Sequence, residues 1–236
     1  MVKTIIAIFL IAAAFILGYQ FYKPSNTPNT KRQPTPTPVK HLVTEGRLPS
    51  SQVELIPLVS EQDYIRGNTD AEVFIIEYSD YECPYCIRIH PTIKRALSEY
   101  GEKLAWVYRH YPLDNLHPSS RAKAEAAECV GDLGGQDSFW SFTDALYSIE
   151  PNVPKHSLDD LPQLATQAGV NIQDFNSCLE SGKFKNKVQK QYETGLSAGI
   201  QGTPGSFVIN KEGEAWLVPG AIPYESLQLT LDQALQ

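Results

Sequence analysis

The sequence predicts an α/β domain in which a long helical block is inserted between two β segments. Three observations predict it. An apolar run, Val73-Phe74-Ile75-Ile76, leads through Cys83-Pro84-Tyr85-Cys86 into a helical pattern from 87 to about 100. From 119 to about 199 the pattern stays helical, broken only by Pro, Gly and Asn signals. Strand signals then resume at Ser206-Phe207-Val208-Ile209. The chain has 236 residues, 42% of them hydrophobic, enough for one well-cored domain plus appendages.

At the N-terminus, residues 1–22 predict a signal-anchor or transmembrane helix. Thr4 to Tyr22 is uncharged and almost wholly apolar, and as a helix it spans roughly 28 Å, close to a bilayer core. Ala12-Ala13-Ala14 offers a cleavage site, the competing reading. The apolar run continues through Phe15, Ile16 and Leu17 to Tyr22, which favours an uncleaved anchor. Counting positive charge puts Lys3 on one side against Lys23, Lys31, Arg32 and Lys40 on the other, which leans against export. A signal-type segment with almost nothing before it translocates the chain behind it, and this outweighs the charge count. Residues 23–52 read as a linker, with Pro24, Pro28, Pro34, Pro36 and Pro38 interleaved with threonines.

The folded domain is expected over 53–236. Asp63 to Asn68 reads as a turn-rich lead-in, 73–78 as a strand, and 87–100 as a helix kinked at Pro91. A second strand covers 104–111 and ends at Pro112. The helical insert, about 116–200, divides into 121–130, 139–149, 158–168, 172–179 and 184–196. Strands at 206–209 and 215–218 flank a Lys211-Glu212-Gly213 turn, and a helix over 224–235 closes the chain.

Charge narrows the function classes. The formal charge is −7, and the five basic residues of the first 44 positions face no acid there. The remainder carries 15 basic and 27 acidic residues, a poor surface for nucleic acid.

The chemistry is concentrated at Cys83-Pro84-Tyr85-Cys86. A helix's first turn carries unpaired N–H groups and the positive end of its dipole. A thiolate there is stabilised and becomes both a good nucleophile and a good leaving group. Cys83 is therefore the expected exposed, attacking sulfur, and Cys86 the more buried, resolving thiol. Pro84 suits the first turn because no N–H is needed. The alternative is half of a zinc site, but zinc takes four ligands, usually in two close pairs, and Cys129 and Cys178 are isolated.

Over 64–236 the sequence resembles the DsbA-like branch of the thioredoxin superfamily. The resemblance rests on Ile65-Arg66-Gly67-Asn68, on Glu77-Tyr78-Ser79-Asp80-Tyr81-Glu82-Cys83-Pro84-Tyr85-Cys86 and on Tyr108-Arg109-His110-Tyr111-Pro112-Leu113. Ala126-Ala127-Glu128-Cys129 and Gly202-Thr203-Pro204 complete it. It implies a thioredoxin-like fold with a helical insertion. It also implies that Thr203-Pro204 is the cis-proline loop facing the cysteines; by itself an X–Pro pair reads as a trans turn. Glu77 resembles the family's buried acid, where a carboxyl relays the proton of Cys86; otherwise it is a surface residue at a strand end. Cys129 and Cys178 match a second, structural disulfide found in part of the family, or are two unrelated thiols. Tyr85 stands where DsbA-like proteins often carry histidine, which implies a less acidic Cys83. His90, His110 and His117 read as surface or structural residues, and Tyr78, Tyr81, Trp106, Phe139 and Trp140 as core or groove aromatics.

The implied function is a membrane-tethered, extracytoplasmic thiol–disulfide oxidoreductase. It would introduce disulfides into exported proteins as a monomer, through Cys83 and Cys86, with no metal or organic cofactor. Its implied reoxidant is a quinone-linked membrane protein of the DsbB or vitamin-K-epoxide-reductase type. Two alternatives stand beside it: a reductase or isomerase of the same fold, and a tethered binding or chaperone module without redox activity.

Overall fold

The computed structural model describes residues 46–148 and 156–236, all within the compact unit Val39–Gln236. The expected anchor, most of the expected linker and the end of the 139–149 helix lie outside the described residues. Among the described residues, no helix is long and apolar enough to cross a membrane.

A short helix α1 (Ser50–Val53) precedes five strands: β1 (Tyr64–Gly67), β2 (Val73–Ser79), β3 (Leu104–His110), β4 (Gly205–Asn210) and β5 (Ala215–Pro219). They form one sheet in the order β1-β3-β2-β4-β5. Only β2 and β3 run parallel. A parallel pair needs a crossover, and helix α2 (Pro84–Tyr100) supplies it. Between β3 and β4 the chain makes its helical excursion through α3 (Ser120–Tyr147), α4 (Leu161–Gln167), α5 (Ile172–Ser181) and α6 (Lys185–Ser197); α7 (Tyr224–Ala234) closes the fold.

The pleat of β2 sorts its side chains onto two faces. Val73 and Ile75 join the larger core with Trp106 of β3 and with Ile87, Ile93, Phe139 and Leu227, from α2, α3 and α7. Ile76 and Tyr78 point the other way, into a smaller core with Val107, Tyr111, Ile200 and Phe207. Glu77 and Ser79 share the parity of Val73 and Ile75, so they lie on the face of α2 and α3.

Several elements differ from the sequence expectation, each for a local reason. Residues 64–67 are a strand, not a turn-rich lead-in. β1 is held by β3 on one side and by α3 across its face. Arg66 bonds Asp144 with two nitrogens, at 2.9 and 3.1 Å, and its guanidinium lies 4.4 Å from the Trp140 ring centroid. Tyr64 stacks on Phe139 at 3.7 Å over Gly131, where a Cβ would strike the tyrosine ring. Helix α2 continues through Pro91 to Tyr100; the proline forgoes the bond to the Ile87 carbonyl. The expected separation of helices 121–130 and 139–149 holds: α3 is two helical segments joined across a kink at Gly135 (φ 80°, ψ −168°), a conformation open essentially to glycine alone. Sheet contacts also begin ahead of residue 53: Arg47 bridges Trp216, and the Leu48 N–H donates to the Ala215 carbonyl at 2.7 Å.

Cys129 of α3 and Cys178 of α5 are joined, with an S–S distance of 2.01 Å and Cα atoms 5.9 Å apart. The bond pins two helices of the insert together and removes both thiols from any zinc set.

Candidate active site

The site is assembled where β2 hands over to α2. Asp80, buried in the turn between them, organises the handover. Its carboxylate accepts the Glu82 N–H at 2.7 Å and the Leu113 N–H at 2.8 Å, and pairs with His117 Nδ1 at 2.9 Å. Its carbonyl accepts the Cys83 N–H at 3.1 Å. The turn carrying the cysteines is thus fastened to the loop after β3. Glu82, next to the nucleophile, is drawn off toward α3: its oxygens accept the Ser119 N–H at 2.9 Å and the buried Lys123 ammonium at 3.0 Å.

Cys83 is the N-cap of α2 and Pro84 its first residue. Both cysteines are free thiols. The hydrogen bond from the Cys86 thiol, followed by those from Thr203 and from the backbone of Cys86 and Tyr85, lowers the Cys83 pKa from 9.0 to about 5 against the opposing effect of burial. Cys86 moves the opposite way. Burial first, then donation to Cys83 and the charge of Glu77, raise it well above its ordinary value. The Asp80 N–H reaches the Cys86 sulfur at 3.4 Å. One thiol is held as an anion and its neighbour as an acid.

The expectation of an exposed Cys83 is corrected, because the residue is only 3% accessible. Its sulfur faces the Thr203 carbonyl at 3.3 Å, across the loop that leads into β4. Tyr85, 53% exposed, is the solvent-facing member of the motif, and Arg88 lies 5.0 Å from its ring centroid.

The Thr203-Pro204 peptide bond is cis. Beside it runs an open groove of about 540 Å³, bordered by Gln52, Ile200, Thr203, Pro204, Leu217 and Pro219. Backbone, apolar wall and sulfur therefore meet in one place.

Glu77 is fully buried, which excludes the surface reading. Its carboxylate accepts the Ser79 hydroxyl at 2.7 Å and the Trp106 indole N–H at 3.0 Å. Burial raises its pKa from 4.5 to about 7, more than those two bonds lower it. Behind Ser79 lie Tyr147 at 3.0 Å and, beyond it, Tyr108 at 2.7 Å from the Tyr147 hydroxyl.

His90 and His110 are buried, so neither is a surface residue. His90 Nε2 is 2.7 Å from Asp144, and His110 Nε2 lies 3.3 Å from Glu128. Burial lowers the pKa of both. Sequence reading missed Asp80, Lys123, Ser79 and Tyr147 as neighbours of the site. Asp80 was visible inside the motif; Ser79 and Tyr147 are 68 positions apart and carry no local signal.

A family model described as Thioredoxin matches residues 59–233. Among curated proteins, a Na(+)/H(+) antiporter NhaA 1 from Mycolicibacterium gilvum is 31% identical over 159 residues, 66% of this chain and 25% of that protein. The chain thus spans about a quarter of the length of the curated relatives it matches. Among solved structures, the thiol-disulfide exchange protein alpha-DsbA2 from Wolbachia pipientis superposes with a TM-score of 0.63 at 22% identity, covering 78% of this chain and 92% of that one. Oxidised BdbD from Bacillus subtilis superposes with a TM-score of 0.62 at 24% identity, covering 74% and 94%. These likenesses establish the fold.

Proposed function

The chain belongs to the thioredoxin family and carries a DsbA-like fold, and on that premise we propose that it is a thiol–disulfide oxidoreductase that introduces disulfide bonds into exported proteins. The observation that carries the reading is the opposite displacement of the two thiol acidities, Cys83 down to about 5 and Cys86 well up. A stabilised Cys83 thiolate makes the reduced enzyme the low-energy state, so the Cys83–Cys86 disulfide tends to be handed on.

In the oxidised enzyme a client thiolate attacks Cys83. The Cys83–Cys86 bond breaks, Cys86 leaves and takes a proton from Glu77, and a mixed disulfide forms. The client's second thiolate attacks its own sulfur in that bond and expels the Cys83 thiolate. Two client thiols give up two electrons and two protons. The enzyme disulfide takes both electrons; one client proton replaces the one that Glu77 passed to Cys86, and the other goes to solvent. Thr203 offers backbone to an extended client beside the groove, in the manner of strand addition. Cys129–Cys178 stays closed throughout as a structural bond.

The catalytic domain, 53–236 in this reading, works as a monomer on the extracytoplasmic side of the cell membrane. Residues 1–22 anchor it and 23–52 tether it, and it is reoxidised by a quinone-linked membrane partner of the DsbB or vitamin-K-epoxide-reductase type. Anchoring raises the effective concentration of the two partners. Tyr85 favours a second reading, in which the same disulfide runs as a reductase, because a neutral phenol adds little positive potential at Cys83.

An equilibrium titration of the protein against glutathione buffers, with Cys83 and Cys86 followed by alkylation, separates these. A disulfide readily reduced by glutathione supports the disulfide donor. One that stays closed until strongly reducing conditions supports the reductase. A pair that never closes refutes both and leaves a binding module.

A further inference from the structure

Glu77 is reached by a directed string of hydroxyls. Ser79 has a single proton, and its 2.7 Å contact with a carboxylate oxygen commits that proton to Glu77. In the 3.0 Å contact between Ser79 and Tyr147 the phenol is therefore the donor. Tyr147 then has no proton left, so in the 2.7 Å contact between the two phenols Tyr108 donates. The order Tyr108 to Tyr147 to Ser79 to Glu77 results from counting protons, and each bond polarises the next toward the carboxylate.

We propose that Ser79 and Tyr147 are positioning residues for Glu77, holding its carboxylate in the state that accepts the Cys86 proton during resolution. The inference rests on the proposed redox function and assigns the helical insert a chemical part in it. In the step concerned, the Cys86 thiol gives its proton to the Glu77 carboxylate. The resulting thiolate attacks Cys83 in a mixed disulfide, the Cys83–Cys86 bond forms, and the partner sulfur leaves with the electron pair as a thiolate.

Protonation of Glu77 would weaken its hold on the Ser79 proton, because a charged carboxylate is the stronger acceptor. The string therefore favours the anion, and the Ser79 bond lowers the pKa that burial raises to about 7. The other titratable groups around Glu77 are few. From α2 come Cys83 and Cys86; from β3 comes Tyr108, from the turn after β2 Tyr81, and from α3 Tyr147. The neighbouring strand β4 carries no titratable side chain. Tyr108 and Tyr147 are both raised well above the usual phenol range by burial and stay neutral donors.

The test uses the full chain loaded with a glutathione mixed disulfide on Cys83, and tracks the release of glutathione against pH. Ser79→Ala should move the midpoint of that profile up by about one unit, slowing release roughly tenfold on its rising limb. Tyr147→Phe should move it the same way by less. In a Glu77→Gln background Tyr147→Phe should not move it, and Ser79→Ala should move it by less, through the Ser79 hydroxyl's own contact with Cys86. Should one variant fail to fold, the other decides alone, since each removes a single oxygen. A midpoint unmoved in the folded variants, or an equal shift in the Glu77→Gln background, overturns the inference and leaves the proposed function standing. If Cys83 takes up no glutathione at all, both fall together.

Discussion

At Cys83 the fold works against burial and prevails. A cysteine only 3% accessible ought to be a neutral thiol, yet the Cys86 thiol, Thr203 and the first amides of α2 stabilise the anion. The same contacts make a statement about stability. With a folded value of about 5 against an ordinary 9.0, the reduced folded protein binds fewer protons than the unfolded chain between those limits. That stabilisation is complete above about 9 and is lost as pH falls through about 5. Glu77 has the opposite sign: raised from 4.5 to about 7, it costs the fold stability as pH climbs through that range. Burial, its largest cause, does not depend on the Cys83–Cys86 bond, so the difference between the redox forms reports chiefly the thiolate. Denaturant unfolding of the two forms should show the reduced protein gaining on the oxidised one from pH 5 toward 9, by about 2–3 kcal/mol at pH 7; a gap that stays constant with pH would refute the thiolate. At this scale the motif residues were legible, because C-x-x-C, Thr203-Pro204 and the lone acid Glu77 carry their chemistry in their spacing or their company. Ser79 and Tyr147 were not. An ordinary serine and an ordinary tyrosine acquire meaning only once β2 and the last turn of α3 are side by side.

Secondary structure was legible in proportion to how far each element depends on itself. Helices α2, α5 and α6 appear within a few residues of their periodic patterns, with α5 capped by Asn171 on the Gln173 and Asp174 N–H groups at 2.8 and 3.2 Å. β1 was hidden because its four residues, three half-exposed and Gly67 exposed, owe their shape to β3 on one side and to Asp144, Trp140 and Phe139 of α3 on the other. The break within α3 was legible, since Gly134-Gly135 reads locally as one and Gly135 leaves the helical conformation. The pairing of Cys129 with Cys178 constrains the insert's helices rather than the catalytic turn. It closes a loop of 49 residues in sequence separation. Replacing both cysteines with alanine should lower the unfolding free energy by about 3–4 kcal/mol. The glutathione equilibrium of Cys83 and Cys86 should stay where it is, measured on the same protein; a displaced equilibrium would place this bond in the redox chemistry.

For the molecule as a whole, the sheet separates two tasks. One face carries the buried acid, the cysteines and helices α3 to α5 of the insert; the other is closed by α6 and the aromatic pair Tyr78 and Tyr111. The proposed address can be checked on the full chain in cells. Membrane fractions washed in alkaline carbonate should retain it, and protease added from the extracytoplasmic side should reach the catalytic domain; release by carbonate, or full protection, would count against the anchored, outward-facing reading. The sheet's two borders matter for such a life. On the outer side of β1 the Ile65 N–H donates to Gln136 Oε1 at 2.9 Å, and Gln136 Nε2 donates back to the Asp63 carbonyl at 3.1 Å, so one carboxamide stands in for a missing peptide group. Along β5, Leu48 donates to Ala215 and Arg47 bridges Trp216. Exposed strand borders template the stacking of unfolded chains, and unfolded chains are the clients proposed for this protein. With both borders blunted, it could meet aggregation-prone polypeptides without seeding their assembly on itself, and Thr203, next to the reactive sulfur, is left as the proposed station for extended client backbone.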